Sequence, residues 1–433
     1  MGRFTLATLG AALCLMGCAA QNVFLAPPPN LYSTGINFPV DEVPPPLRTI
    51  DPKVFYLTDR ATLSDEDGLI AYGANRSEKM IFGQATVRFG ADDWDDLVDR
   101  TYVDGGRRIS RLDVAQVQEL VRFDPVPLPT MRQDGALTFE VGARDSYAAQ
   151  GRAFQQAVQA EIRRTGNGRI LLFAHGVGNG FEKSLTTLAN LWHFAGREAV
   201  PIVFSWPAGN GGPLGYFRDR EAGDFSVFHA KELLRLLAEI PEVEDIDVVA
   251  HSRGTDVMTK ALREQVIFYR GANTPPKLAM KTGTLVLAAA DLDVGVVGQR
   301  LQAERFSEAF EQINIYVNPG DSALRLSSLL TNVTRLGAVN QDSFTPAQLA
   351  GLKKSELVHF IRVENLRGRG HSYFRDNPAV LSDIVLVLRT RAFPGGTLRP
   401  LDVGQDGFWQ LHSNYPLERL PDLQNGRVEG SDR

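Results

Sequence analysis

Cysteine is scarce in this sequence, basic residues are not in excess over acidic ones, and long apolar runs are few. Only Cys14 and Cys18 occur among its 433 residues, and both lie close to the N-terminus. If the segment that holds Cys14 is cleaved off and Cys18 is modified, the mature chain has no disulfide, no cysteine nucleophile and no cysteine ligand for a metal ion. The formal net charge of −5 argues against a general nucleic-acid binder, because such proteins carry a basic face.

The N-terminus carries the features of an export signal. The apolar run over residues 4–16 is too short to span a bilayer comfortably, and it ends in the sequence Leu-Met-Gly-Cys at residues 15–18. This pattern resembles a bacterial lipoprotein signal, in which cleavage precedes a cysteine that is then acylated. The alternative is an ordinary signal peptide with an incidental cysteine. We predict a signal peptide over residues 1–17 and lipidation at Cys18. No aspartate follows the cysteine, which favours the outer membrane, with the remainder of the chain in the periplasm.

Composition divides the remaining chain into three parts. Residues 18–50 begin with the lipidated cysteine and contain two triple-proline runs, which favour extended polyproline II and predict a tether. We predict a folded domain over residues 51–392, with N-terminal strands in 51–144 and a core in 145–392. Residues 393–433 are rich in glycine, proline and aspartate, and we predict a loosely ordered C-terminal tail.

From about residue 145, short apolar strands alternate with amphipathic helices. Continuous apolar strands between helices are typical of a parallel sheet that helices cover on both faces. We therefore predict a doubly wound α/β fold with a mostly parallel sheet and antiparallel edge strands on its N-terminal side. Ligands of such sheets bind beyond the carboxyl ends of the strands. The predicted core strands cover residues 170–174, 201–205, 246–250, 284–288, 313–317 and 357–363.

The third of these strands leads into a candidate nucleophile. It is followed by Ala250-His251-Ser252-Arg253-Gly254 and a helical pattern. A small-x-Ser-x-Gly sequence between a strand and a helix is typical of the sharp turn that exposes a serine hydroxyl. The flanking residues must be small because the helix packs close to the strand, and alanine in the first position is a modest departure from glycine. The sequence therefore predicts Ser252 as the nucleophile.

A glycine-rich loop, residues 175–180, follows the first core strand. In a serine hydrolase such a loop supplies backbone N–H groups to an oxyanion hole, together with the residue after the nucleophile. Gly176, Val177 and Arg253 are the candidates here. The loop lacks the spacing and the lysine of a phosphate-binding loop. A glycine turn with only a structural role is a further alternative.

Two aspartates and one histidine are candidates to complete a triad. Asp293 and Asp321 both follow core strands, and the usual position of the acid, two strands after the nucleophile, favours Asp321. His371 lies after the last core strand and before a helix, where the fold needs its base. His251 is adjacent to Ser252, and we predict that its side chain points away.

Three further residues are candidates to line a pocket at the same edge of the sheet. His175 and Trp206 each follow a core strand, and Tyr216 lies in the long segment after Trp206. A tryptophan at the end of a strand is more often part of the core than of a pocket wall.

These features together resemble the α/β-hydrolase superfamily and, within it, an uncharacterised bacterial family of predicted serine hydrolases. The resemblance covers roughly residues 52–390. Val177 and Gly178 stand where the family often has an aromatic residue and an asparagine, and Arg253 replaces a more usual methionine. The shared marks are Phe55-Tyr56-Leu57-Thr58-Asp59-Arg60, His175-Gly176, Phe204-Ser205-Trp206-Pro207, Ala250-His251-Ser252-Arg253-Gly254, Asp321 and Gly370-His371-Ser372-Tyr373-Phe374.

The resemblance implies an esterase-like or lipase-like enzyme that acts on a small-molecule ester or lipid. Ser252 would attack, His371 would act as the base and Asp321 would orient it, with an acyl-enzyme intermediate and without a metal or an organic cofactor. The expected partner is the membrane, through lipidated Cys18, and not a nucleic acid. One alternative is a catalytically idle envelope scaffold or binding protein with this fold. Another is an acyltransferase or peptidase that uses the same triad.

Overall fold

The computed structural model describes residues 23–32, 42–64, 70–102, 110–212, 214–364 and 370–419. The predicted signal peptide and Cys18 lie outside these residues. Within the described ranges, no helix combines the length and the apolar character that are needed to cross a membrane.

Fourteen strands are found in the described part of the chain, and twelve of them form one sheet. In chain order they are β1 (Val23–Phe24), β2 (Lys53–Ser64), β3 (Ile70–Arg88), β4 (Arg111–Arg122), β5 (Thr130–Gln133), β6 (Ala136–Phe139), β7 (Arg169–Ala174), β8 (Val200–Ser205), β9 (Asp245–His251), β10 (Thr282–Ala288), β11 (Gln312–Val317), β12 (Val358–Val363), β13 (Asp402–Val403) and β14 (Trp409–Leu411). The sheet order is β1-β4-β3-β2-β8-β7-β9-β10-β11-β12-β14-β13, and β5 and β6 form a separate hairpin.

Helices connect most of these strands. The α-helices are α1 (Trp94–Tyr102), α2 (Val141–Thr165), α3 (Phe181–Phe194), α4 (Gly215–Ala238), α5 (Gly254–Gly271), α6 (Pro276–Met280), α7 (Val294–Val296), α8 (Ser322–Thr331), α9 (Pro346–Lys353), α10 (Tyr373–Asp376) and α11 (Pro378–Thr390). A π-helical segment, Val297–Gln302, follows α7. Short 3-10 helices lie at Asn30–Tyr32, Pro45–Leu47, Phe306–Ala309, Leu336–Ala338, Gln341–Ser343 and Leu417–Arg419.

The six strands from β7 to β12 run parallel to one another. Strand β2 extends them in parallel with β8, and β2, β3, β4 and β1 then pair in an antiparallel manner. This arrangement confirms the predicted α/β fold, with a mostly parallel sheet and antiparallel strands on the N-terminal side.

Helices cover both faces of the sheet, as the continuous apolar strands predict. Along β7, Leu171 and Phe173 belong to the core that includes residues of α3 and α11. Ile170 and Leu172 belong to the opposite core, with residues of α2, α4 and α5. The carboxyl ends of the parallel strands are left at one edge of the sheet, where β9 and β11 are followed by Ser252 and Asp321.

The prediction of a tether over residues 18–50 is wrong for the parts that the structure describes. Strand β1 pairs with β4, and Leu31, Tyr32, Val43 and Leu47 are buried. The Tyr32 hydroxyl donates a hydrogen bond to the carbonyl oxygen of Phe194 at 2.5 Å. Proline limits regular helix and sheet to short pieces in this segment, but its apolar side chains still pack on the domain.

The prediction of a loosely ordered tail is likewise wrong for residues 393–419. Strands β13 and β14 extend the sheet beyond β12. Arg399 is fully buried and donates two hydrogen bonds to the carboxylate of Asp383, at 2.9 and 2.7 Å, and one to Asn314 Oδ1 at 2.7 Å. Removal of one partner from a buried ion pair costs about 3–5 kcal/mol, so this pair fixes the segment to the core.

Candidate active site

A sharp turn places Ser252 between β9 and α5. Ser252 has a φ of 53°, a left-handed conformation that non-glycine residues rarely adopt. Its backbone N–H donates to the carbonyl oxygen of Ala288 at 2.9 Å. A Cβ on Gly254 would lie 2.4 Å from the carbonyl oxygen of His175, so this position requires glycine. The turn therefore has the geometry that the small-x-Ser-x-Gly pattern predicts.

Ser252, His371 and Asp321 are brought together in one hydrogen-bonded chain. His371 Nε2 lies 2.8 Å from Ser252 Oγ, and His371 Nδ1 lies 2.7 Å from Asp321 Oδ2. Because a carboxylate only accepts hydrogen bonds, Nδ1 carries the proton and Nε2 is free to accept one from the serine hydroxyl. Asp321 is fully buried, whereas the His371 side chain is 24% exposed, so water has access to the imidazole.

Asp321 is held by the start of a helix as well as by His371. It is the N-cap of α8, and its Oδ1 accepts hydrogen bonds from the backbone N–H groups of Ala323 and Leu324 at 3.0 and 3.1 Å. These N–H groups hold the carboxylate in place at the N-terminus of the helix. Asp293, the alternative acid, instead caps α7 through a 2.7 Å hydrogen bond from Gly295 N. The structure thus brings Asp321, and not Asp293, to His371.

The loop that carries His371 is fixed by two buried aromatic residues. His251 Nε2 donates to the carbonyl oxygen of His371 at 3.0 Å, and its ring stacks on Phe374 at 4.5 Å between centroids. Burial, and then the nearby His371, hold the pKa of His251 well below its ordinary value. The Tyr373 hydroxyl donates to the carbonyl oxygen of Tyr316 at 2.8 Å.

The expectation that His251 points away is therefore incomplete. Its side chain points away from Ser252 and contacts the main chain of His371, the candidate general base. The pattern of alternating strand residues predicts that His251 faces away from the nucleophile, but it cannot show which distant loop lies there. The only indication in the sequence was that His251 belongs to the Ala250-His251-Ser252 motif shared with the resembled family.

The glycine-rich loop lies directly against the nucleophile. A Cβ on Gly176 would be 2.6 Å from Ser252 Cβ and 3.1 Å from Ser252 Oγ. Asp219, which is buried on α4, accepts hydrogen bonds from the backbone N–H groups of Gly178, Gly209 and Asn210 at 2.8, 3.1 and 3.0 Å. One carboxylate thus joins the loop to the segment that follows β8.

Arg60 also supports the glycine-rich loop. Its guanidinium is buried and donates to the carbonyl oxygens of Asn179 and Ala208 at 2.8 and 2.7 Å. It also lies 3.3 Å from His175 Nε2. Burial lowers the pKa of Arg60 to about 10, so the side chain stays charged at neutral pH. Sequence reasoning missed both Arg60 and Asp219, although Arg60 belongs to one of the shared marks.

Two backbone N–H groups beside Ser252 have no hydrogen-bond acceptor among the described residues. They belong to Val177, which follows Gly176, and to Arg253, which follows Ser252. The Arg253 side chain is buried and turned to Asp256 Oδ2, at 2.8 Å, and to the carbonyl oxygen of Asp291, at 3.3 Å. Arg253 stands where the resembled family more often has methionine, and its charged side chain is paired by these two neighbouring residues.

His175 and Trp206, two of the residues predicted to line a pocket, pack against one another at the ends of neighbouring strands. Their rings stack with centroids 5.1 Å apart and an interplanar angle of 6°, and both are buried. Trp206 Nε1 donates to the carbonyl oxygen of His175 at 2.7 Å. Burial, and then Arg60, lower the pKa of His175 to about 3. His175 is the first residue of the glycine-rich loop, so its contacts with Trp206 help to hold the start of this loop in place.

Tyr216 is partly exposed and lies close to the nucleophile turn. Its hydroxyl donates to Asp291 Oδ2 at 2.9 Å and contacts Ser327 Oγ at 2.8 Å. The backbone N–H of Asp291 in turn donates to the carbonyl oxygen of Ser252 at 3.3 Å. Tyr216 therefore connects α4 and α8 beside the site.

One of three comparisons with known proteins identifies a family. The sequence model of DUF900, an alpha/beta hydrolase of unknown function, matches residues 150–391. A search of curated proteins found no match.

Similar solved structures include a hyperthermophilic esterase from the archaeon Pyrobaculum calidifontis, at 12% identity and a TM-score of 0.24, over 53% of this chain and 78% of that one. An arylesterase has 11% identity and a TM-score of 0.22, over 60% and 75%. Carboxyl esterase 2 from the fungus Tuber melanosporum has 11% identity and a TM-score of 0.20, over 60% and 73%. TM-scores this low carry no argument about activity.

The contact between Gly176 and Ser252 predicts a large difference between two glycine variants. Gly176→Ala should lower the free energy of unfolding by about 1–3 kcal/mol, because the added methyl group overlaps a residue that the turn holds in place. Gly180→Ala is the matched control. A Cβ there meets no atom within 4 Å, so a change within about 1 kcal/mol is expected. Urea unfolding of both purified variants measures this, and equal stabilities would contradict the described contact.

Proposed function

We propose that this chain, which belongs to the DUF900 family of alpha/beta hydrolases, is a serine hydrolase that cleaves carboxylic esters through an acyl-enzyme. The observation that supports the proposal most directly is the hydrogen-bonded chain from Ser252 Oγ through His371 to Asp321. A serine hydroxyl is a weak nucleophile by itself, and an adjacent base that a carboxylate orients is the usual means of activating it.

In the first half-reaction, Ser252 Oγ attacks the ester carbonyl carbon while His371 Nε2 removes the hydroxyl proton. The C–O bond to the alcohol then breaks, and the imidazolium returns the proton to the departing oxygen. The products are a free alcohol and an ester between Ser252 and the acyl group. In the second half-reaction, water attacks this ester with His371 again acting as the base. A carboxylic acid leaves and Ser252 regains its proton.

Asp321 keeps His371 in the tautomer that this sequence of steps requires. Its charge also stabilises the imidazolium that forms when Ser252 loses its proton. The two hydrogen bonds from α8 fix the orientation of the carboxylate. His251 and Tyr373 act as positioning residues, because they hold the backbone of the loop that carries His371.

Backbone N–H groups are proposed to stabilise the negative charge on the carbonyl oxygen. The unpartnered groups of Val177 and Arg253 are the candidates, with Gly176 allowing the loop to approach Ser252 closely. One such donor in an oxyanion hole contributes about 3 kcal/mol to lowering the barrier. Arg60 and Asp219 support this role through hydrogen bonds to the main chain of the loop.

Triad variants test the proposal on a panel of p-nitrophenyl esters with acyl chains of increasing length. Ser252→Ala should lower kcat by about 10⁴-fold or more, and Asp321→Asn should lower it by about 10⁴-fold, because the histidine then takes the wrong tautomer. Asp293→Asn is the matched control and should keep its activity, since the Asp293 carboxylate caps α7 whereas Asp321 is the carboxylate that contacts His371.

Three other outcomes would favour the alternatives. A folded wild-type chain that cleaves none of the esters would favour the idle scaffold. Cleavage of amides in place of esters would favour a peptidase, and acyl transfer to an added alcohol in preference to water would favour an acyltransferase. Activity that Ser252→Ala retains would exclude the proposed nucleophile.

We also propose that Cys18 anchors the chain to the cell envelope, on the basis of the Leu-Met-Gly-Cys sequence. The packing of β1 on β4 limits the reach of such an anchor. Five residue steps separate Cys18 from Val23, and they span at most about 18 Å when fully extended. The domain would therefore lie close to the membrane surface.

Palmitate labelling in a bacterial host tests the anchor. Wild type and Cys14→Ser should incorporate the label, whereas Cys18→Ser should not. Label in the Cys18→Ser chain, or none in the wild type, would contradict lipidation at this residue.

A further inference from the structure

We propose that the chain binds a long-chain carboxylate in a cavity that is separate from the Ser252 site. The cavity lies between α2, α4 and the segment from Val126 to Phe139, and its volume is about 910 Å³. Cavities that bind small molecules measure about 300–1,000 Å³. None of Ser252, Asp321 and His371 lines it, so this inference does not depend on the proposed ester hydrolysis.

The interior of the cavity is apolar and aromatic. Phe225, Phe228 and Phe139 line it together with Leu128. Phe139 and Phe228 are 51% and 41% exposed, an unusual state for two large aromatic side chains that face the same space. A ligand with a hydrocarbon body would cover both rings.

The floor of the cavity includes the imidazole of His229, which is buried and hydrogen-bonded to Asp59. His229 lines the cavity, but its Nδ1 lies 2.8 Å from Asp59 Oδ2. The rings of Phe225 and Phe228 pack edge-on against the imidazole, with centroids 5.6 and 5.8 Å away. The inner end of the cavity therefore fits an alkyl chain.

The mouth of the cavity carries positive charge on one face of α2. Arg144, Ala148 and Arg152 are spaced by one helical turn, line the cavity and are exposed. Arg152 has no ion-pair partner among the described residues, and Arg144 has only the exposed Asp145 at 3.4 Å. Two glutamates also line the mouth, and Arg235 pairs with both of them, with Glu232 at 2.9 Å and with Glu239 at 2.6 Å. The three arginines and two glutamates of the lining therefore leave one net positive charge.

This distribution of charge selects the chemical class of the ligand. An arginine guanidinium binds a carboxylate through two parallel hydrogen bonds. A long-chain carboxylate can place its head at Arg152 and Arg144, in contact with water, and its chain among the phenylalanine rings. A charged head at the inner end would have to leave water without a partner, which is unfavourable.

Fluorescence titration of the wild-type chain with dansyl-undecanoic acid tests the proposal. We expect saturable binding with a blue shift of the dansyl emission. Ala148→Trp fills the cavity and should weaken binding by about tenfold or more. Ala149→Trp is the matched control, since Ala149 is exposed on the same helix and does not line the cavity, and it should bind as the wild type does. Far-UV circular dichroism verifies that both variants are folded.

The contribution of the arginines at the mouth of the cavity is tested by a separate set of variants. Arg152→Gln should weaken binding by about two- to fivefold, as expected for an exposed ion pair. Arg163→Gln, which changes an exposed arginine of α2 outside the cavity, should have no effect. Dodecanoate should displace the probe more effectively than dodecanol. Absence of saturable binding, unchanged binding by Ala148→Trp, or equal displacement by the alcohol would overturn the proposal.

Discussion

The left-handed backbone of Ser252 is the constraint on which the site depends. A φ of 53° directs the chain from β9 into α5 within two residues, so the serine hydroxyl stands at the carboxyl edge of the sheet. The conformation is unfavourable for a residue with a side chain, by about 1–3 kcal/mol. It is held by the hydrogen bond from the Ser252 N–H to Ala288 and by close packing at Gly176 and Gly254, where an added Cβ would lie 2.6 and 2.4 Å from neighbouring atoms. The same two glycines permit the close approach of the first loop to the nucleophile.

Buried polar side chains hold the loops around the serine in place. Arg60 and Asp219 bind the backbone of the glycine-rich loop, and His251 and Tyr373 hold the loop of His371. Each of these side chains bonds to main-chain atoms, so each fixes the position of a loop and not only of one neighbour. A preorganised site needs such support, because the reacting groups must already be in place when charge develops.

The sequence predicted the elements that have a strong local signal. Apolar strands and the usual position of the acid, two strands after the nucleophile strand, were sufficient to choose Asp321 over Asp293, and the structure brings Asp321 to the histidine. The packed parts of the tether and of the tail were missed because their stability comes from remote partners. No local pattern shows that Arg399 will pair with Asp383 inside the core. The stacking of His175 on Trp206 likewise depends on neighbouring strand ends that are distant in the sequence.

The most direct test of the account is whether Ser252 is an activated nucleophile. A fluorophosphonate probe reacts with an activated serine and not with an ordinary one, and peptide mapping by mass spectrometry locates the modified residue. We expect the folded wild-type chain to be labelled at Ser252, and the His371→Asn variant, which lacks the base, to remain unlabelled. A folded wild-type chain that takes up no label, or that is labelled at another residue, would contradict the central claim.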